Sequence, residues 1–313
     1  MNGPKMLDDA EIAARLGWPA LLDAIEQILT EDGAGGPTRT LHQVERPGAS
    51  PLSLLMKPAW SVGDTVVVKV VTVVDDNGPR GLAGVNAGVL MFDGTDGRLL
   101  GLAAGNELTT RRTAAASAVA ARRLARTDAH RLLVVGTGAL APRLAEAHAQ
   151  VRDLDTIEVW GRDVARAAAV AATLHDSGLP AVAVEDLRSA VRAADVITCG
   201  TSSTEPLVLG RDVRPGTHVD LVGAFSPTTR ESDDDLIASA RIWLDHLEDA
   251  TIAGDMASPL AAGRVSMDDV VGDLTQLVRG EVEGRSTDDE ITVFKSAGMA
   301  VEDLAAMRLA VGD

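Results

Sequence analysis

The chain has 313 residues, enough for one large domain or two medium ones, and 46% of them are hydrophobic, so burial does not limit folding. Its 29 Lys and Arg against 46 Asp and Glu leave a formal charge of −17, a surface that repels nucleic acid and anionic lipid; neither is expected as a partner. Aromatic residues are only 2%, with no Tyr for base stacking, and the lone Cys199 excludes an internal disulfide framework and fits a reducing cytoplasm.

Acidic residues, not an apolar stretch, follow the first five positions, so no signal peptide is expected. An amphipathic helix is predicted over residues 18–30 and ends at the Gly33–Gly36 and Pro37 stretch. Strands follow at 53–56, 66–74 and 89–92, separated by turn signals at Asp75-Asp76-Asn77-Gly78 and Asp93-Gly94. The 66–74 run is apolar on both faces and reads as a strand buried on both, yet Lys69 interrupts it. A lysine there is costly unless an anion or acid receives it; the alternative is an edge-strand lysine that reaches water along its stem. An Ala-rich helix is predicted over 107–126, its small residues allowing close packing. Arg111 and Arg112 near its start are about 100° apart and cannot face one site.

After Asp128 the rhythm changes. Strand-like runs at 132–135, 157–160, 181–184, 196–199, 218–222 and 242–244 alternate with helical ones such as 141–150 and 166–174. That alternation implies a doubly wound parallel sheet, with the mainly β region before it as a separate domain. A last helix is predicted over 301–309.

The first of these strands runs into Gly136-Thr137-Gly138-Ala139-Leu140-Ala141, a G-x-G-x-x-A turn opening a helix. The first glycine permits the tight turn, the second admits a pyrophosphate, and Ala141 lets the helix lie against the strand. The next strand ends in Trp160-Gly161-Arg162, where an NAD site would carry an acid. Arg162 can pair with a ribose 2′-phosphate and favours NADPH; Asp163, one residue on, leaves NADH possible. Thr201 and Ser202 follow the fourth strand and Gly223-Ala224-Phe225-Ser226 the fifth, at the carboxyl ends where such sheets bind ligands. These hydroxyls suit ribose or phosphate, and equally suit plain turns. Arg39, Lys69 and Arg112 together can form a cationic pocket for a carboxylate, which the planar guanidinium fork suits. The six His lack metal-ligand spacing, and no metal site is expected.

Gly36-Pro37-Thr38-Arg39, Val68-Lys69-Val70-Val71-Thr72, Gly105-Asn106-Glu107-Leu108-Thr109, Arg112-Thr113-Ala114-Ala115-Ala116-Ser117, Val135-Gly136-Thr137-Gly138 and the segment 289–298 resemble the ornithine cyclodeaminase/mu-crystallin family over nearly the whole chain. The resemblance implies an α/β protein with a Rossmann domain at 118–295 and an N-terminal α+β substrate and dimerisation domain at 1–117, to which 296–313 return. It implies a homodimer. It also implies that Arg39, Lys69 and Arg112 hold the substrate carboxylate, and that Ser296 and Gly298 approach the nicotinamide. The expected cofactor set is Thr113, Gly136, Thr137, Gly138, Ala139, Leu140, Arg162, Thr201, Ser202, Gly223, Phe225, Ser296 and Gly298.

One departure bears on the reaction. Cyclodeaminases of this family carry an aspartate after the fifth strand, where this chain has Phe225, and a phenyl ring takes no proton. The run 223–231 instead looks like the Δ1-pyrroline-2-carboxylate reductase branch. The expected activity is NAD(P)H-dependent reduction of a cyclic imine carboxylate to L-proline or L-pipecolate. Lys69 is the candidate proton donor and His42 a weaker one. The alternatives are ornithine cyclodeamination, another imine or amino-acid dehydrogenase, and a non-catalytic NADPH-binding protein. A second departure, Asn86-Ala87-Gly88, falls where that branch has a bulkier, hydroxyl-bearing stretch.

Overall fold

The computed structural model describes residues 3–312 and divides into two compact units. One runs to Arg112 and takes in the residues from Met299 onward; the other is Thr113–Gly298.

The first unit contains β1 (Lys5–Leu7), α1 (Asp9–Arg15), α2 (Trp18–Thr30), β2 (Ala34–Gly35), β3 (Thr40–Val44), β4 (Leu52–Ser61), β5 (Thr65–Val73), β6 (Val85–Asp93), β7 (Leu99–Ala104) and the start of α3 (Gly105–Leu124). The strands form one sheet in the order β1-β7-β6-β5-β4-β2, with β3 also on β4; only β1 and β7 pair in parallel. Along β5, Thr65, Val67 and Lys69 are buried while Val66, Val68 and Val70 remain partly exposed. This corrects the expectation of burial on both faces: valine favours the extended backbone wherever it points, so a Val run does not report which face is covered. Ala59, Val67, Val89, Met91 and Ala103 are buried, as are Leu21, Leu22, Ile25, Leu304, Ala306 and Met307 of α2 and the C-terminal helix Ala300–Val311. That helix packs on α2, β4 and β5.

The second unit continues with β8 (Arg131–Val135), α4 (Leu140–His148), β9 (Thr156–Trp160), α5 (Val164–Asp176), β10 (Ala181–Val184), α6 (Leu187–Ala193), β11 (Val196–Cys199), β12 (His218–Leu221), α7 (Asp234–Ser239), β13 (Arg241–Leu244), α8 (Leu247–Ala250), α9 (Gly254–Ala261), β14 (Val270–Asp273), α10 (Leu274–Arg279) and β15 (Thr292–Lys295). All eight strands are parallel, in the order β10-β9-β8-β11-β12-β15-β13-β14. Successive residues feed opposite cores: Leu133, Val135, Ile197 and Val219 pack on one side, Leu132, Val134, Ile157 and Val159 on the other. A sheet covered on both faces explains the uninterrupted apolar strands. Aspartates at the N-caps of α5, α6, α7 and α10 start those helices by accepting orphan backbone N–H groups. Among the described residues, no helix is long and apolar enough to cross a membrane.

Candidate functional site

In the second unit, β8 ends at Val135 and the chain turns sharply at Gly136, where φ is +129° and a Cβ would come within 2.8 Å of the Gly200 carbonyl oxygen. Only glycine tolerates both. A Cβ at Gly138 would meet nothing within 4 Å, so that side of the turn is open to a ligand. Ala139 is the N-cap of α4 and makes no side-chain cap; Leu140 is its first residue. The helix therefore begins with backbone N–H groups suited to a phosphate.

A pocket of about 300 Å³ opens on this turn. Gly136, Thr137, Gly138, Arg162, Thr201 and Ser202 line it, together with Trp160, Gly161, Asp163, Arg166, Gly200, Ser203 and Leu207. These residues fit a dinucleotide: a glycine turn, an uncapped helix start and two arginines beside the second strand. Asp163 also caps α5, its Oδ1 accepting from Ala165 N at 3.0 Å and Arg166 N at 3.1 Å. Arg166 was not picked out from the sequence; it lies one turn of helix beyond Arg162, a spacing that marks it only once α5 is known to start at Val164.

Three buried carboxylates shape the loops at the carboxyl end of the sheet, and sequence reasoning missed them all. Glu231 Oε1 accepts from Thr201 N at 2.6 Å and Thr201 Oγ1 at 2.9 Å, while Oε2 accepts from Gly223 N at 2.8 Å and Ala224 N at 3.3 Å. Asp255 Oδ1 accepts from Glu231 N at 2.7 Å and Ser232 N at 2.9 Å, and its Oδ2 stands 3.1 Å from Lys295 Nζ. Lys295 also donates to the Leu221 and Ala224 carbonyls. Asp245 Oδ2 accepts from Ser296 Oγ at 2.9 Å, Ala297 N at 2.7 Å and Gly298 N. Ser296 is thus buried with its hydroxyl turned to Asp245, and Gly298 takes φ +83°. Neither belongs to the pocket lining, nor does Phe225, which is 43% exposed. Thr113 is buried on α3. Nothing in a lone acid's sequence context distinguishes a buried anchor from a solvated one, and that signal was lacking here.

In the first unit, Lys69 and Arg112 meet. Lys69 Nζ is 2.8 Å from Asp303 Oδ1, Arg112 Nε is 2.9 Å from the same oxygen, and Arg112 Nη1 pairs with Glu302. All four side chains are buried. Because β5 lies between β4 and β6, Lys69 is not an edge lysine. A second buried lysine, Lys57, stands directly across from it on β4. Burial lowers the Lys69 ammonium to about 7, with Arg112 and Lys57 adding to the effect against the pull of Asp303. Burial raises the Asp303 carboxyl, but Arg112 and then Lys69 outweigh it and hold it below the usual range. Arg111 turns away: it pairs with Glu107 at 2.6 Å and stacks over Trp18 at 5.1 Å. Arg39 is half-buried in the segment leading to β3, and His42 is exposed on that strand.

Compared with known proteins, residues 4–312 match the ornithine cyclodeaminase/mu-crystallin family. A Δ1-pyrroline-2-carboxylate reductase of Paracoccus denitrificans is 36% identical over 306 residues, 97% of this chain and 95% of that one. The structure of the Thermococcus litoralis Δ1-pyrroline-2-carboxylate reductase, in complex with NADH and L-proline, superposes with a TM-score of 0.93 at 29% identity, covering 98% of this chain and 96% of that one. An archaeal alanine dehydrogenase dimer with bound NAD gives 0.90 at 26% identity, covering 98% and 95%. The chain belongs to the ornithine cyclodeaminase/mu-crystallin family.

Proposed function

We propose that the protein is an NAD(P)H-dependent reductase of a cyclic imine carboxylate, converting Δ1-pyrroline-2-carboxylate or Δ1-piperideine-2-carboxylate to L-proline or L-pipecolate. The observation that carries this reading is the buried cluster around Lys69 and Arg112. Lys69 and Arg112, with Lys57 beside them, are buried cations set against Asp303 and Glu302. A substrate carboxylate is the ligand that such cations suit.

Arg112, with Arg39, orients that carboxylate, which is chiefly a matter of positioning. Lys69, near neutrality, can protonate the imine nitrogen or hold the iminium in place. The reduced nicotinamide, when bound, supplies hydride. Gly136, Gly138 and the start of α4 serve its pyrophosphate, and Arg162 and Arg166 the adenosine ribose. The two arginines support NADPH as the preferred cofactor, with NADH also used, in line with the relatives bound to NADH and NAD. Phe225, where the cyclodeaminases have an aspartate, leaves that position without a proton acceptor.

The first unit would be the substrate and dimerisation domain, and the second the cofactor domain. The outer face of the first sheet carries Met56, Pro58, Trp60, Val66, Val68, Leu90 and Phe92, all partly or well exposed. Such an apolar face suits a second copy, in line with the dimeric archaeal relative. We place the enzyme in the cytoplasm, in proline metabolism. The test is oxidation of NADPH and of NADH with each of the two cyclic imines. Turnover with either imine supports the reading, and ammonia release from ornithine with NAD, without imine reduction, would refute it.

A further inference from the structure

We propose that Glu231 is a positioning residue of the dinucleotide site, its carboxylate tying the loop after β11 to the loop after β12. The inference rests on the second unit holding a nicotinamide cofactor. Backbone hydrogen bonds also join the two loops, from Arg230 N to Ser203 O at 2.8 Å and from Leu207 N and Val208 N to Glu231 O at 2.8 and 2.9 Å. At Thr201, beside the glycine turn, the link is made by this side chain's four hydrogen bonds and the close approach of Gly223 to the Thr201 backbone. A Cβ at Gly223 would run into Thr201 N and O, so the loops lie against one another with no room to spare. Thr201 in turn forms part of the pocket, and its methyl group would lie 3.2 Å from a Cβ at Gly136. The chain of contact therefore runs from Glu231 through Thr201 to the glycine turn.

The carboxylate is the right chemical group for this task. Three backbone N–H groups and one hydroxyl converge on two oxygens, an arrangement an anion satisfies and an amide does not. In Glu231→Gln, the single amide oxygen can serve one loop, while the NH2 group sets donors against the N–H groups of the other. The volume is unchanged, so the substitution removes the charge and one acceptor oxygen without altering the packing.

The surroundings also set when the tie is charged. Asp255 from α9 and Lys295 from β15 act on it, and it acts in turn on Cys199 of β11. Burial and then Asp255 raise the Glu231 carboxyl, Lys295 and the hydrogen bonds from Thr201 oppose them, and it stands at about 7. The anion that accepts from both loops is thus the form present above neutrality. NADH affinity should fall as the pH drops from 8 to 6.

The experiment is titration of the full-length protein with NADH, followed by nicotinamide fluorescence from pH 6 to 8.5, with circular dichroism as the folding control. NADH avoids the ionising 2′-phosphate of NADPH. We expect wild-type affinity to weaken severalfold towards pH 6. We expect E231Q to bind about tenfold more weakly at pH 8, the scale of one lost charge-assisted hydrogen bond, with a flat profile. A folded E231Q that binds within twofold of wild type, or keeps the wild-type slope, overturns the proposal. If E231Q does not fold, Thr201→Val replaces it. Losing one donor to the carboxylate should move the midpoint of the profile to higher pH, and an unmoved midpoint overturns the proposal. Wild-type protein that binds no NADH at any pH would sink the dinucleotide reading itself, and this inference with it; normal wild-type binding with an indifferent E231Q sinks only the tie.

Discussion

Lys69 Nζ lies 2.8 Å from Asp303 Oδ1, and neither side chain reaches solvent. Despite that partner, burial and the neighbouring Arg112 and Lys57 bring the ammonium down to about 7. If Lys69 donates the proton, the protonated form is the active one, and kcat should fall as the pH rises through about 7. Lys69→Met should lower kcat by about 10²–10⁴-fold and abolish that limb. Lys57→Met removes one of the cations that depress Lys69, so it should carry the limb to higher pH. Steady-state rates across pH 6–9 read both, and an unchanged profile in K69M would rule out the proton-donor role.

Arg112 spans Asp303 and Glu302 with separate guanidinium nitrogens. Lysine keeps the charge but cannot reproduce the fork. On the proposed role, in which the fork receives the substrate carboxylate, Arg112→Lys should raise the imine KM by about tenfold or more while the NADPH KM stays put. Initial-rate kinetics with each substrate varied would show the split; a KM for the imine equal to wild type would count against the assignment.

Arg162 and Arg166 flank the open end of the cofactor pocket, and both are exposed. Arg162→Ala should raise the NADPH KM by about tenfold and leave the NADH KM within about twofold, since only the former has a 2′-phosphate. The double Ala variant should prefer NADH. An unchanged ratio of the two kcat/KM values would refute the assignment of Arg162.

Away from both sites, Asp220 bridges two histidines inside the parallel sheet: His148 Nε2 at 2.7 Å and His218 Nε2 at 2.9 Å, with His218 Nδ1 on Thr292 Oγ1. Burial lowers His218 below its ordinary 6.5, so its contribution to stability is complete above that pH and is lost as the pH falls. Burial opposes the Asp220 charge, but the histidines hold the carboxyl well below its ordinary 3.8; its contribution is complete above that value and also lost on acidification. Both effects have the same sign. Urea midpoints should fall from pH 7.5 to 5, and Asp220→Asn should cost about 3 kcal/mol or more at pH 7.5. Equal midpoints for wild type and D220N would show that the trio adds nothing.

The sequence disclosed what rests on periodicity. The helix at Trp18–Thr30 and the strands Ala181–Val184 and Val196–Cys199 have the predicted bounds, because unbroken apolar patterns mark them. The strands β1, β2, β3, β7, β14 and β15 went unread. β2 has two residues and β3 is exposed throughout, so neither carries a burial pattern, and the buried positions of Leu99–Ala104 are Gly101 and Ala103, side chains too small to mark a strand. The pocket-lining glycines and Arg162 were legible because a strand–turn–helix motif fixes where such residues point. Glu302, Asp303, Glu231 and Asp245 were not. Each acts on residues 7 to 234 positions away, and an acid's partner at that range is a property of topology.

The glycines at 161 and 223 carry a practical consequence. A side chain at Gly161 would strike the Thr137 methyl, and one at Gly223 would strike the Thr201 backbone. Both glycine positions are therefore closed to redesign, whereas Arg162 and Arg166 are exposed around the start of α5. An engineer wishing to retune this protein for a cheaper nicotinamide would randomise 162 and 166, retain 163 as the helix cap, and leave both glycines alone.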